Sequence, residues 1–219
     1  MASNSTWKMY RAFAGTGVFC ALLIVVVFQA TEPVIAHNKA QALNRAVLLV
    51  LADAQHKQAF RWTQAGAFEA VSEADGAADV IYAGYTASGQ LAGIAIPAQG
   101  MGYQDKIELL YGYSPTHGAV VGMKILSSRE TPGLGSKIGT DETFLQNFKR
   151  LVIQLNEAGG IAQAIEVIKP TQQRQAWQIN AISGATVSSK AVANIINQSS
   201  EFWIPKIMQQ LERFEGHER

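Results

Sequence analysis

The chain has 219 residues, with 18 basic and 17 acidic side chains and a formal net charge of +1. That length suits one domain or two small lobes beside a membrane segment, and the balanced charge with no basic patch excludes a nucleic-acid binder. A lone cysteine, Cys20, excludes an internal disulfide and an iron–sulfur cluster.

Residues 12–30 contain no charge and are dominated by Ala, Val, Leu, Ile and Phe. About 20 such residues cross a bilayer as a helix. A signal-peptide core is usually shorter, about 7–15 residues, so a retained transmembrane helix is expected over 12–30. Lys8 and Arg11 precede it and Glu32 follows. Positive flanks stay on the cytoplasmic side, which makes 1–11 a cytoplasmic stub and puts the bulk of the chain outside. Cys20 lies inside the apolar run and reads as a packing residue.

Residues 34–60 read as a helical connector, because Leu43, Val47, Val50 and Ala54 recur at helical spacing. His37 and His56 on this stretch have no ligand-spaced partners and read as solvated or packed. The remainder, 61–219, is expected to be one domain. Residues 79–86 are strand-like, Ser88-Gly89 marks a turn, and 91–97 alternate Leu91, Gly93, Ala95 against Ala92, Ile94, Ile96. Strands over 106–111 and 119–127 flank a turn at 113–118, completing a meander. A helix over 141–151 with Thr140 or Asp141 as its cap follows. Residues 201–215 read as a last helix carrying Phe202, Trp203, Ile207, Leu211 and Phe214. Strands grouped first and helices grouped after them predict an α+β fold with antiparallel strands and flanking helices.

Two segments carry chemistry. Arg129-Glu130-Thr131-Pro132-Gly133-Leu134-Gly135-Ser136-Lys137 is a stiff loop, with Pro132 fixing its own φ and the glycines permitting a sharp turn or a close approach. Asn180-Ala181-Ile182-Ser183-Gly184-Ala185-Thr186-Val187-Ser188-Ser189 runs into a helical stripe formed by Val187, Ala191, Ile195 and by Val192, Ile196. Ser183 or Thr186 is placed to cap that helix. Its first N–H groups lack internal partners and favour an anion, so either a plain capped helix or a phosphate site fits. The chain has no dinucleotide fingerprint, phosphate loop or hydrolase elbow.

Glu130-Thr131-Pro132-Gly133-Leu134-Gly135 followed by Ser183-Gly184-Ala185-Thr186 resembles the FMN-binding domain of the Rnf complex G subunit and of its relative, the C subunit of the sodium-pumping NADH:quinone reductase. The order of Gly100-Met101-Gly102-Tyr103, Lys106 to Leu110 and Gly118 to Leu126 also resembles that family, as does the N-terminal anchor. The resemblance implies FMN carried through a phosphoester on Thr186. It implies a cofactor site built from Ser183, Gly184, Ala185, Val187 and Ser188 together with Glu130, Thr131, Gly133 and Leu134. Ser189 and Lys190 are further candidates for the phosphate. Trp177 is either a ring on the flavin or a core aromatic, and Glu130 either orients its loop or is a solvated carboxylate. The family usually carries aspartate where this chain has Asn180, which keeps the acceptor oxygen and loses the charge.

The resemblance further implies a periplasmic domain on a single-pass inner-membrane protein. Its partners would be the other membrane subunits, especially the integral membrane flavin subunit, and a flavin transferase during maturation. Electron flow between ferredoxin and NAD would be coupled to Na⁺ or H⁺ translocation. The other reading is a membrane-anchored FMN-binding sensory or regulatory module outside any pump. Such a module would carry an output domain, and none is visible.

Overall fold

The computed structural model describes residues 3–71 and 79–215; Met1 and Ala2 of the expected stub, and residues 72–78 and 216–219 of the expected domain, lie outside the described residues. The chain forms two compact units, Met1–Gln41 and Ala42–Arg219. The first is wholly helical where described. It is part of helix α1, Ser3–Val50, which runs through Pro33 without a break. Among the described residues α1 is the one helix long and apolar enough to cross a bilayer, with a window of mean hydropathy 2.2.

The second unit opens with the last turns of α1. Leu43, Ala46, Val47 and Val50 are buried there, as the helical spacing predicts. The predicted connector stops short of residue 60, however. Ala54 N–H closes a turn onto Leu51 O at 2.9 Å, and strand β1 begins at His56. The reason is a change of period: beyond Ala54 the helical stripe would place Lys57 and Gln58 inward, whereas Phe60 and Trp62 recur at a spacing of two, which suits a strand.

Strands β1 (His56–Trp62), β2 (Phe68–Val71), β3 (Val80–Tyr85), β4 (Leu91–Met101), β5 (Lys106–Ser114), β6 (Ala119–Ser128) and β7 (Leu151–Val152) form one sheet in the order β2-β1-β3-β4-β5-β6-β7. Every pairing in it is antiparallel. β8 (Glu166–Ile168) and β9 (Gln178–Asn180) make a separate parallel pair. The fold is α+β, with antiparallel strands and flanking helices.

Both faces of the sheet are covered, so its central strands are apolar on both sides. Ile94, Ile96, Ile107, Leu109 and Tyr111 join a core with Val192, Ile195, Ile196, Ile204 and Ile207 of helix α3 (Thr186–Gln209). Ala95, Val80, Tyr82 and Leu110 face the other way and pack on Leu43, Val47, Val50 and Leu51. The predicted alternation holds from Gly93 to Ile96, but the bulge opposite Gly84 and Tyr85 shifts the start of the strand, so Leu91 packs with Ile94 and Ile96 and Ala92 packs with Ala95.

The second face has a seat for the end of α1. Gly84 pairs with Gly93, and Gly112 with Gly122, in neighbouring strands. A Cβ on either Gly112 or Gly122 would stand 2.6 Å from the Val50 carbonyl oxygen, and one on Gly84 or Gly93 would strike Leu51. These glycines let the helix backbone lie directly on the sheet.

Helix α2 (Glu142–Gln146) is shorter than the helix predicted over 141–151, and a 3-10 turn, Asn147–Lys149, continues it. Asp141 is its cap, accepting from Phe144 N–H at 2.9 Å. The last helix predicted over 201–215 is not a separate element. α3 runs unbroken to Gln209 despite Pro205, and a turn then leads into the short α4 (Glu212–Glu215). The break falls at Gln210, whose side chain accepts from Phe68 N–H at 3.2 Å and donates to Gly66 O at 2.8 Å. It stitches the helix end to the β1–β2 hairpin. Phe214 and Trp203 are in the core, whereas Phe202 is 49% exposed.

Candidate functional site

The two chemical segments meet at Glu130. Its carboxylate is buried, 4% exposed. Oε1 accepts from Gln104 N–H at 2.9 Å, and Oε2 accepts from the Ser188 hydroxyl on the first turn of α3. The N–H groups of Asp105 and Tyr103 also donate to it. Glu130 thus orients its loop and is not a solvated carboxylate. Burial alone would raise its pKa; the hydrogen bonds from Ser188, Gln104, Asp105 and Tyr103 outweigh that and hold it below the ordinary glutamate value.

Glycines explain how the pieces come so close. A Cβ on Gly135 would lie 2.7 Å from Ser188 Oγ and 2.8 Å from Glu130 Oε2, and one on Gly102 would collide with Glu130 Oε1. Gly133 serves a different purpose: with φ of 74° it turns the loop. That turn is closed by Leu134 N–H and Ser136 N–H on Thr131 O, each at 3.2 Å. It leaves Leu134 half exposed and brings its side chain beside Gly184, where a Cβ would be 3.5 Å from Leu134 Cδ2. Thr131 Oγ1 donates to Gln104 Oε1 at 3.3 Å, tying the loop to the 102–105 turn.

At the start of α3 the expected caps are absent. Ala185 is the N-cap, and no side chain bonds to the free N–H groups. Ser183 and Thr186 are both exposed instead. The segment is held by Ser189, whose hydroxyl donates to Ala185 O at 2.9 Å and accepts from Ile182 N–H at 3.1 Å. Ser188 and Ser189 are buried, and their hydroxyls donate to Glu130 Oε2 and to Ala185 O. Their role is to hold the helix start in place. Gly184, at φ 80°, makes the turn that exposes Thr186. Helical spacing puts Val187 in the buried stripe; it is 55% exposed, because the stripe enters the core only from Ala191 onward.

Thr186 Oγ1 therefore stands free beside unpaired N–H groups at the positive end of a 24-residue helix. Two exposed apolar side chains belong to the same region: Val187, next to Thr186 on the helix, and Leu134, beside Gly184. Met101 (71% exposed) and Tyr103 (70%) flank the turn bonded to Glu130. Ser183 lines a cavity of 330 Å³ with Lys137, Asp141, Phe144 and Asn180. A larger cavity of 600 Å³, between Ser88–Leu91, Pro115–Thr116 and Glu215, contains none of the motif residues. A phosphate on free N–H groups with a flat apolar ring over Leu134 and Val187 fits this surface. Lys190 is exposed, and Trp177 is half-buried and outside the main core. Met101, Tyr103 and Lys137 lie in stretches singled out from the sequence, but none of them is predicted there as a site residue; the fold brings the 102–105 turn against Glu130 and sets Lys137 at the cavity beside Ser183.

The FMN-binding domain family matches residues 102–201, which holds both segments and the turn that joins them. The G subunit of the ion-translocating oxidoreductase complex of Methanosarcina acetivorans is 32% identical, covering 72% of this chain and 80% of that one. This chain belongs to the G-subunit family of ion-translocating oxidoreductase complexes. The G subunit of the proton-translocating ferredoxin:NAD(+) oxidoreductase complex of Clostridium ljungdahlii is 28% identical over 90% of this chain and 91% of its own. Among solved structures, Shewanella oneidensis NqrC aligns with a TM-score of 0.59 at 18% identity, over 81% of this chain and 98% of that one. The C subunit of the Na(+)-translocating NADH-quinone reductase of Parabacteroides distasonis aligns at 0.60 and 16%, over 80% and 96%. They share the fold. As a G subunit the chain is an FMN-binding electron-transfer component of a multisubunit redox complex, and its apolar N-terminal helix makes it a single-pass membrane protein.

Glu130 gives the site a pH dependence. Its folded pKa lies below the unfolded value, so its stabilisation is complete above about pH 4.3 and is lost as pH falls through the folded pKa. Glu130→Gln should cost roughly 1.5–3 kcal/mol at pH 7, the scale of hydrogen bonds to a charged group. The difference from wild type should shrink below about pH 4. Urea unfolding at several pH values measures it, and a difference that is flat with pH would contradict the clamp.

Proposed function

We propose that this G subunit carries FMN covalently, as a phosphoester on Thr186, and relays electrons from an extracytoplasmic domain. The observation that carries the reading is the free Thr186 hydroxyl at the start of α3, next to the loop that Glu130 pins against Ser188. Unpaired N–H groups of the helix start take the remaining phosphate charge. Thr131, Gly133 and Leu134 shape one wall for the ring, and Ser183, Gly184, Ala185 and Val187 form the turn on which the acceptor is displayed. FMN supplies the redox chemistry; the chain binds and orients it and limits its contact with water.

The domain lies on the periplasmic side of the inner membrane, with residues 1–11 cytoplasmic, supported by Lys8 and Arg11 before the apolar run. A cofactor on that side would be lost by dilution if it dissociated, which favours a covalent bond. The partners are the other membrane subunits, above all an integral membrane flavin subunit, and a flavin transferase that loads Thr186. The complex passes electrons between ferredoxin and NAD and moves Na⁺ or H⁺. Residues 12–30 carry no ionisable side chain apart from the Cys20 thiol, so the ion path belongs to other subunits.

The test is to co-express the full chain with a flavin transferase, purify it in detergent, digest it and sequence the peptides by mass spectrometry. An FMN-sized addition on the peptide holding Ser183 to Lys190, localised to Thr186, supports the reading. Unmodified peptide, with a control acceptor modified in the same cells, overturns it.

A further inference from the structure

The chain leading to Thr186 is tied down one N–H at a time. Asn180 N–H donates to Asn147 Oδ1 at 3.1 Å, Ala181 N–H to Ile168 O at 2.9 Å, Ile182 N–H to Ser189 Oγ at 3.1 Å and Ala185 N–H to Ile182 O at 3.0 Å. The first of these rests on a pair of asparagines. Asn147 is buried, 3% exposed, and its amide nitrogen donates to Phe144 O at 2.8 Å. The Asn180 amide nitrogen donates to Lys169 O at 3.2 Å and to Gln172 O at 3.1 Å. That closes a turn in which Gln172 N–H also donates to Lys169 O at 3.0 Å and Lys169 N–H to Gln172 Oε1 at 3.2 Å.

We propose that Asn147 and Asn180 form a strut that positions Thr186 for modification, and that the strut requires an amide, not a carboxylate, at position 180. This rests on the reading of Thr186 as the flavin acceptor. The chemistry at 180 is one-sided. Two carbonyl oxygens face the Asn180 side chain on the same atom, and only an N–H₂ group satisfies both. A carboxylate has no proton to offer and would set a charged oxygen against both carbonyls. Rotating it would not help, since its two oxygens are alike. The departure from aspartate at this position is thus matched by the turn around it. The strut holds no substrate, so Asn180 is a positioning residue.

The full chain in detergent is compared as wild type, Asn180→Asp and Asn180→Ala. Hydrogen exchange is read at the Gln172 and Ala181 amides, and flavin transfer kinetics are read with a purified transferase. Asn180→Asp, close to the native residue in shape, should be worse than the truncation to alanine. Its amides should exchange at least about tenfold faster than wild type, and the kcat of transfer should fall on the order of tenfold with KM for the chain nearly unchanged. A simple loss of packing would rank alanine as the more damaging change, and that order overturns the proposal. So does an Asn180→Asp chain that matches wild type in both exchange and transfer. A wild-type chain that takes no flavin, beside a control acceptor that does, removes the Thr186 reading and the proposal with it; a labelled wild type beside an equally labelled Asn180→Asp removes the proposal alone.

Discussion

Thr186→Ala should abolish flavin fluorescence that survives denaturation, while leaving the fold intact. The hydroxyl is exposed, and it neither caps α3 nor bonds to another side chain among the described residues. Removing it costs no internal hydrogen bond, so stability should change by no more than about 0.5 kcal/mol, the usual range for surface substitutions. The loss of attached flavin should nonetheless be complete, because no neighbouring hydroxyl is available to replace it. Ser188 donates to Glu130 and Ser189 to Ala185 O, both from buried positions. Ser183 is exposed but precedes the Gly184 turn, outside the helix start. Thr186→Ser keeps an oxygen at the same place and should keep measurable labelling. In-gel fluorescence with the three chains side by side decides this. Residual fluorescence in Thr186→Ala would show that the acceptor lies elsewhere.

Alanine at Gly112 or Gly122 should destabilise the domain strongly. At each position the new methyl would meet the Val50 carbonyl oxygen at 2.6 Å, and that atom belongs to a helix backbone already pressed on the sheet. A flexible side chain can rotate away from such a contact, but a carbonyl inside the last turn of α1 cannot move without shifting Leu51 and the strands beneath it. Overpacking of a close-fitting core costs about 1–3 kcal/mol, and the backbone partner puts these two changes at the upper end. For a chain of this size that corresponds to a melting temperature lowered by roughly 6–12 °C. Gly160→Ala is the control, since its methyl would find only Asn156 side-chain atoms at 3.7 Å and 3.8 Å. Thermal unfolding in detergent followed by circular dichroism measures the shift. Wild-type melting in both Gly112→Ala and Gly122→Ala would mean that the helix end is not seated as described.

Sequence patterning reaches the meander because each strand carries its own alternation and is bounded by turn residues. Ser88-Gly89 and Pro115 to Gly118 are local signals; β4 and β5 fall between them and β6 follows the second. What patterning does not supply are boundaries set by tertiary contact. The connector helix ends at Val50 because β1 is claimed by β2 and β3, which lie further along the chain. α3 continues past Pro205 because Trp203, Ile204 and Ile207 are held by the core. The same holds at the site. The two segments are legible one at a time, but that Glu130 accepts from Ser188, that Ser189 replaces the expected cap, and that Asn147 supports Asn180 are long-range facts. From sequence, Glu130 is equally a surface charge or an organiser, since burial of a carboxylate depends on donors that only the fold collects.

The idle hydroxyl of Thr186 also says something about order in time. Every bond that shapes its surroundings is made by other atoms: the Glu130 carboxylate, the Ser188 and Ser189 side chains, and the N–H groups of Asn180 to Ile182. None of these bonds uses the Thr186 hydroxyl. On the proposed reading, attachment of flavin there would break no internal hydrogen bond, so loading would need no return to the unfolded chain.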